Sequence, residues 1–317
     1  MRSKKSIIGL ALGSGSARGW SHIGVIRALE ERGIVPDVIC GTSVGSIVAA
    51  AYASDQLDDL EAWVTTLEWK DVVGFMDLNL RGGGGLFKGK KLFDYMRERF
   101  GEWDINALNK KFGSVATDVD TGLEVWLRDG KLLSAVRASI SLPAIFTPVL
   151  RDGRWLVDGG LVNPVPVSLC RAMGANYIIA IDLNSDLLDV TPPPDLIDEK
   201  KSAPLDRLPG HPEKETKDKE PSFWTATKER ITTSFWGKDL KDSLDKEKDE
   251  RPSMIEVISK SINIMQVRIT RSRMAGDPPD VLITPKLGYM GLMEFHRAQE
   301  AIDEGKAAVA RAERSLM

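Results

Sequence analysis

The segment Val38-Ile39-Cys40-Gly41-Thr42-Ser43-Val44-Gly45-Ser46-Ile47 runs from a short apolar strand through G-x-S-x-G into an Ala-rich helical pattern. A serine on such a tight strand-to-helix turn sits in a strained conformation, and Gly41 and Gly45, two positions either side, supply the dihedrals and leave room for substrate. The Ser43 hydroxyl then stands at a helix N-terminus, where the dipole favours developing negative charge. From Ile7 to about Asp186 short apolar runs alternate with helical patterns. That alternation predicts a three-layer α/β fold with a central, mostly parallel sheet.

Within that layer the pattern predicts a strand at Ile7–Leu12, a small-residue loop at Gly13–Gly19, a helix at Ser21–Arg32 ended by Gly33 and a strand starting at Val38. Further strands are expected at Ser114–Asp118, Glu124–Leu127, Trp155–Val157 and Tyr177–Asp182, with a helix from Pro164. Residues 187–252 change to Pro, Lys, Asp and Glu and read as a linker or excursion, interrupted by one aromatic island, Phe223–Trp236. Phe223, Thr227, Ile231 and Phe235 would share one face of a helix there, so the island is expected to dock on membranes or to pack on the protein. Residues 253–317 read as helix, strand and helix: Ile255, Ile258, Ile262, Met265 and Ile269 at helical spacing, a strand at Val281–Pro285, and a closing helix at Phe295–Ser315.

Composition narrows the function classes. The 317 residues allow one large domain or two small ones, at roughly 150 residues each. With 42% hydrophobic and 28% charged residues the chain is globular, neither disordered throughout nor membrane-embedded. A net charge of -3 without a basic stripe argues against nucleic acid as a partner. Cys40 and Cys170 are too few for a disulfide framework or a four-ligand zinc site, which fits a reduced, cytoplasmic setting. The basic start, Met1–Lys5, is followed by an apolar run broken by Gly9, Gly13 and Arg18. It therefore predicts neither a signal peptide nor a membrane span, and lipid contact is expected to be peripheral, at the inner face of a membrane.

The loop Leu10-Ala11-Leu12-Gly13-Ser14-Gly15-Ser16-Ala17-Arg18-Gly19 leaves backbone N–H groups free for an oxyanion or a phosphate. Gly13, Gly15 and Gly19 also fit a dinucleotide loop, but the acid that reading needs at the end of the next strand is misplaced: Asp37 precedes Val38–Cys40. Gly84-Gly85-Leu86-Phe87-Lys88-Gly89-Lys90 begins like a phosphate loop, yet Lys91 stands where Ser or Thr should hold magnesium, so a mobile loop near the site is expected instead. A serine nucleophile usually needs a histidine, and none of His22, His211 and His296 is well placed. Asp158-Gly159-Gly160, by contrast, puts a carboxylate at a strand end with open space around it. Arg18 reads either as an electrostatic aid to an oxyanion or lipid headgroup or as a cap. Asn163-Pro164 reads as an N-cap and first helical residue.

Taken together, these blocks resemble the patatin-like phospholipases, and within them the bacterial RssA-type subfamily. The resemblance rests on Ser14-Gly15-Ser16-Ala17-Arg18-Gly19, Gly41-Thr42-Ser43-Val44-Gly45, Asp158-Gly159-Gly160, and Ala138-Ser139-Ile140-Ser141-Leu142-Pro143 with Phe146 and Pro148. It implies a patatin-like fold and a Ser43–Asp158 dyad that works without histidine. It also implies an oxyanion hole drawn from Gly15, Ser16, Ala17, Arg18 and Val44, a lipid ester as substrate, and no metal or cofactor. Ser14 and Ser16 depart from the family's glycines. They keep the N–H donors but narrow the approach, so a weakly catalytic lipid-sensing or partner-binding regulatory protein stands as the alternative. The oligomeric state is not written in the sequence.

Overall fold

The computed structural model describes residues 6–79, 84–187 and 254–316. The aromatic island Phe223–Trp236 and His211 lie outside the described residues, as does the rest of the charged stretch from residue 188 to 253. Met1–Val190 and Ser259–Met317 form one compact unit; Thr191–Ile258 form a second, described only over 254–258.

In chain order the described elements are β1 (Ile8–Leu12), α1 (Ser21–Glu30), β2 (Val38–Thr42), α2 (Val44–Ala53), α3 (Leu57–Val64), α4 (Trp69–Gly74), β3 (Gly85–Phe87) and α5 (Lys90–Phe100). They continue with β4 (Lys111–Asp118), β5 (Glu124–Leu127), α6 (Leu132–Ser139), β6 (Ala144–Phe146), β7 (Val149–Arg151), β8 (Arg154–Asp158), α7 (Val167–Ala172), β9 (Tyr177–Ile181), α8 (Met254–Gly276), β10 (Val281–Ile283) and α9 (Ala298–Arg311).

The main sheet is parallel from β10 through β9, β1 and β2 to β4. Its strands β1, β2 and β9 are runs of Val, Ile, Leu, Ala, Gly and Cys, with Tyr177 opening β9 and Thr42 closing β2, and beyond the half-buried Ile8 and Tyr177 they are buried on both faces, as a sheet covered by helices on each side demands. Beyond β4 the sheet turns antiparallel. β5 pairs with Ser114–Thr117 on one side of β4. The other side is shared: β2 pairs with Lys111–Val115, and β8 takes over at Ala116–Asp118. The C-terminal ends of β2 and β8 therefore meet beside one strand, with Thr42 opposite Val115 and Asp158 opposite Ala116.

Helices α1 and α9 cross at glycines. A Cβ on Gly24 would lie 1.9 Å from the Ile302 carbonyl oxygen, and one on Gly305 would lie 2.0 Å from that of Ser21, so the two backbones touch. β10 joins the sheet edge beside β9, placing the C-terminal portion on the same core as the N-terminal strands.

Several expectations change on contact with the structure. Gly85–Phe87 is a strand paired parallel with Ala144–Phe146, and Lys90 opens α5, so the glycine-rich stretch from Gly84 is regular structure over much of its length and not a loop. The N–H groups of Gly89 and Lys90 donate to the Asp77 carboxylate at 2.6 and 2.8 Å, which fills with a protein anion the place a phosphate would need. Helix α7 begins at Val167 with Pro166 as its N-cap, so Asn163-Pro164 does not start it. The Asn163 amide donates instead to Glu124 Oε1 and Ser168 Oγ.

Candidate active site

Ser43 sits between β2 and α2 at φ 57°, ψ -129°, a conformation costing on the order of 1–3 kcal/mol that the crossing around it imposes. The strand and helix approach so closely that a Cβ on Gly41 would lie 2.3 Å from the Gly45 carbonyl oxygen, and one on Gly45 would lie 2.3 Å from that of Leu12. Only glycine fits at either position. The Ser43 N–H donates to Ser139 Oγ at 3.0 Å, and Ser46 Oγ caps the Ser43 carbonyl at 2.7 Å.

The Ser43 hydroxyl donates to Asp158 Oδ2 at 2.6 Å. Asp158 is fully buried; its other oxygen accepts from Gly160 N–H at 2.7 Å, and its backbone is held by Thr117 Oγ1 and the Ser141 carbonyl. Burial pushes the Asp158 carboxyl up to about 6, against the opposing pull of the Ser43 and Gly160 hydrogen bonds.

The loop after β1 faces the serine. A trans peptide points its C=O and N–H in opposite directions, so whatever holds the carbonyl aims the next N–H. The Gly15 carbonyl accepts from Arg18 Nε at 3.0 Å and from the Arg18 N–H at 3.2 Å, which turns the Ser16 N–H away from Arg18. Among the described residues the N–H groups of Gly15, Ser16 and Val44 donate to no protein acceptor. Those of Ala17 and Arg18 are committed, to the Leu292 and Gly15 carbonyls at 3.2 Å each. Of the five expected donors, Gly15, Ser16 and Val44 thus keep an uncommitted N–H, because Ala17 reaches across to Leu292 and Arg18 closes the short 3-10 turn at Ser16–Trp20. Arg18 remains in the site through its side chain. It is buried, which lowers its guanidinium to about 10 despite Asp186 and Asp182 nearby, and its Nη1 has no hydrogen-bond partner among the described residues.

The two described histidines do not contact Ser43 or Asp158. His22 is fully buried, lowered to about 4 by burial, and as the neutral ring donates Nε2–H to the Gly13 carbonyl at 2.8 Å. His296 is exposed and packs edge-on against Trp69.

Two residues with no sequence signal also enter the site. Gln266, on the buried face of α8, and Asn184, after β9, lie against Ser14. The cleft over Ser43 is bounded by Gly15, Arg18, Leu142, Ile262, Gln266 and Leu292, and its free volume is about 10 Å3, the room of one water. Among the described residues no cluster of His, Cys, Asp or Glu could hold a metal ion, and no helix is long and apolar enough to cross a membrane.

An elbow serine at the carboxyl edge of a parallel sheet, hydrogen-bonded to a buried aspartate, marks an α/β protein of the nucleophile-elbow type. Comparison with known proteins gives the family: the patatin-like phospholipase model matches residues 10–171, and the chain belongs to that family. An uncharacterized NTE family protein of Mycobacterium bovis is 31% identical over 333 residues, covering 96% of this chain and 91% of its own. The human patatin-like phospholipase domain-containing protein 6 is 36% identical over 184 residues, 56% of this chain and 13% of that protein. VipD from Legionella pneumophila aligns at 11% identity over 98% of this chain and 79% of its own, with a TM-score of 0.36, too low to bear on the site.

Proposed function

We propose that the protein is a serine lipid acyl hydrolase of the phospholipase or lysophospholipase type, with Ser43 as nucleophile and Asp158 as general base. The observation that carries this reading is the 2.6 Å hydrogen bond from Ser43 Oγ to Asp158 Oδ2, with both described histidines engaged elsewhere. Asp158 takes the Ser43 proton as Oγ attacks the ester carbonyl, and the N–H groups of Gly15, Ser16 and Val44 receive the oxyanion. Collapse expels the alcohol, protonated by Asp158, and leaves an acyl-serine. Water then attacks the acyl carbon, giving its proton to Asp158; the fatty acid departs and the proton returns to Ser43. A base held near 6 suits this shuttle at neutral pH.

In this reading residues 7–186 carry catalysis, 253–317 complete the layer and 187–252 are a charged excursion. The protein works in the cytoplasm and meets its lipid by peripheral contact at a membrane's inner face, with Phe223–Trp236 as the segment the sequence offers for it. No nucleic acid and no cofactor take part.

The regulatory alternative draws on one observation: Ser16 lies at φ 51°, a glycine conformation occupied by a serine in the proposed oxyanion loop. Labelling with a fluorophosphonate decides between the two. Stoichiometric label on Ser43, lost in Ser43→Ala, is the expected result; folded wild-type protein that takes no label sinks the enzyme and leaves the lipid sensor.

A further inference from the structure

The Ser14 carbonyl and the Gly15 N–H belong to one peptide plane, so the group that holds this carbonyl sets the direction of an oxyanion donor. That group is Asn184, whose Nδ2 donates to the Ser14 carbonyl at 3.2 Å. Asn184 is itself held: its Nδ2 also donates to Gln266 Oε1 at 3.1 Å, and Ser14 Oγ donates to the same oxygen at 3.1 Å. With its carbonyl fixed by two donors, the Gln266 amide nitrogen is turned to the opposite side, where a Cβ on Gly160 would lie only 2.4 Å from it and 3.0 Å from Asp158 Oδ1. Gln266 is 5% exposed, lines the cleft with Ser43, and its Nε2 donates to no acceptor among the described residues. A buried amide costs stability unless its groups are used, so a glutamine is a poor choice for plain packing at this position.

We propose that Gln266 is a positioning residue of the active site. From helix α8, beyond residues 10–171 that match the family, it ties the oxyanion loop at Ser14 to the Asp158-Gly159-Gly160 turn. The contact depends on Ser14 being a serine, so this chain's departure from glycine is half of a tether. The inference rests on the hydrolase reading of Ser43 and Asp158.

The test compares wild type with Gln266→Leu, Gln266→Glu, Ser14→Ala and the Gln266→Leu/Ser14→Ala double variant. It measures kcat and KM on a short soluble p-nitrophenyl ester, the pH–rate profile, the rate of fluorophosphonate labelling and the Tm. Gln266→Leu is expected to lower kcat and the labelling rate about 10- to 100-fold, the scale of a displaced oxyanion donor, with KM and Tm little changed. The double variant should lose no more than the worse single one, because the tether is shared. Gln266→Glu keeps the acceptor for Ser14 and Asn184, so it should recover most of the kcat at high pH. It also puts a carboxylate beside Asp158, so the acid limb of its profile should move to higher pH. Asp158 has no ion-pair partner among the described residues; the charged side chain lining the cleft is Arg18, with Asp182 and Asp186 near it.

Gln266→Leu within twofold of wild-type kcat, additive losses in the double variant, or an unmoved acid limb in Gln266→Glu each overturns the proposal. If Gln266→Leu does not fold, Gln266→Glu alone decides it. Failure of wild type to label at Ser43 overturns the hydrolase reading and the tether with it, whereas normal wild-type labelling with indifferent Gln266 variants removes the tether alone.

Discussion

Thr42 and Asp158 face consecutive residues of one strand, Val115 and Ala116, from two strands running in opposite directions. Ser43, the proposed nucleophile, follows Thr42 directly, so its 2.6 Å contact with Asp158 is built into the sheet's hydrogen-bond register. A rigid sheet holds such a pair more closely than two loops could.

The first prediction concerns this pair. Ser43→Ala and Asp158→Asn should each lower ester hydrolysis by at least about a thousandfold, roughly 4 kcal/mol of barrier, in folded protein. Replacing His22, His211 or His296 should spare much of the activity. A histidine variant as inactive as Ser43→Ala, with its circular dichroism intact, would require a triad.

The second follows from the burial of Asp158. As the proposed base it must be ionised, so kcat/KM on a soluble ester should rise with pH through about 6 and then level off. A profile flat from pH 4.5 to 8 would exclude Asp158 as the base.

Stability should run the other way. The folded state holds the Asp158 proton above its ordinary value of 3.8, so the stabilising contribution is fully present below that value and is lost as pH rises through about 6. Asp158→Asn should therefore be more stable than wild type at pH 8, by on the order of 3 kcal/mol, with the gap closing towards pH 4. Urea denaturation at both pH values checks this; a gap that does not change with pH contradicts it.

Ser16 offers a fourth prediction. A serine at φ 51° carries strain of about 1–2 kcal/mol that glycine would not. Glycine loses more backbone entropy on folding, so Ser16→Gly should change stability by less than about 1 kcal/mol while opening the approach to Ser43. The expected gain is in kcat/KM on bulky esters over short ones. Equal effects on both substrates would show that Ser16 does not limit access.

The elbow, the loop after β1 and the Asp-Gly-Gly turn were legible because each is a local pattern: an apolar strand, small residues, then a helix or turn. Their meeting was not. It depends on β8 reversing direction beside β4, and nothing local to Trp155–Val157 records which strand it joins. Gln266 was hidden for a different reason. The apolar spacing of α8 selects Met265, which is 45% exposed, whereas the buried face runs through Ile262, Gln266 and Thr270. A polar residue on a core-facing stripe lowers the periodic signal at the place where it matters. The stretch from Leu57 to Phe100 holds three helices and a strand that the pattern missed, since α4 and β3 are too short to show a period and the charges of α5 mask its buried Phe93, Met96 and Phe100.

The glycine crossing of α1 and α9 bears on how the protein is made. Gly305 meets the Ser21 carbonyl, and Ser21 is the residue at which the turn after the proposed oxyanion loop becomes helix. During synthesis the elbow and the loop emerge early, yet α1 has no partner for this face until α9 has left the ribosome. Nascent chains lacking α9 should expose the face of α1 that carries Gly24 and Val25 and invite chaperones, so the proposed lipid-cleaving centre would be assembled only once translation has passed α9.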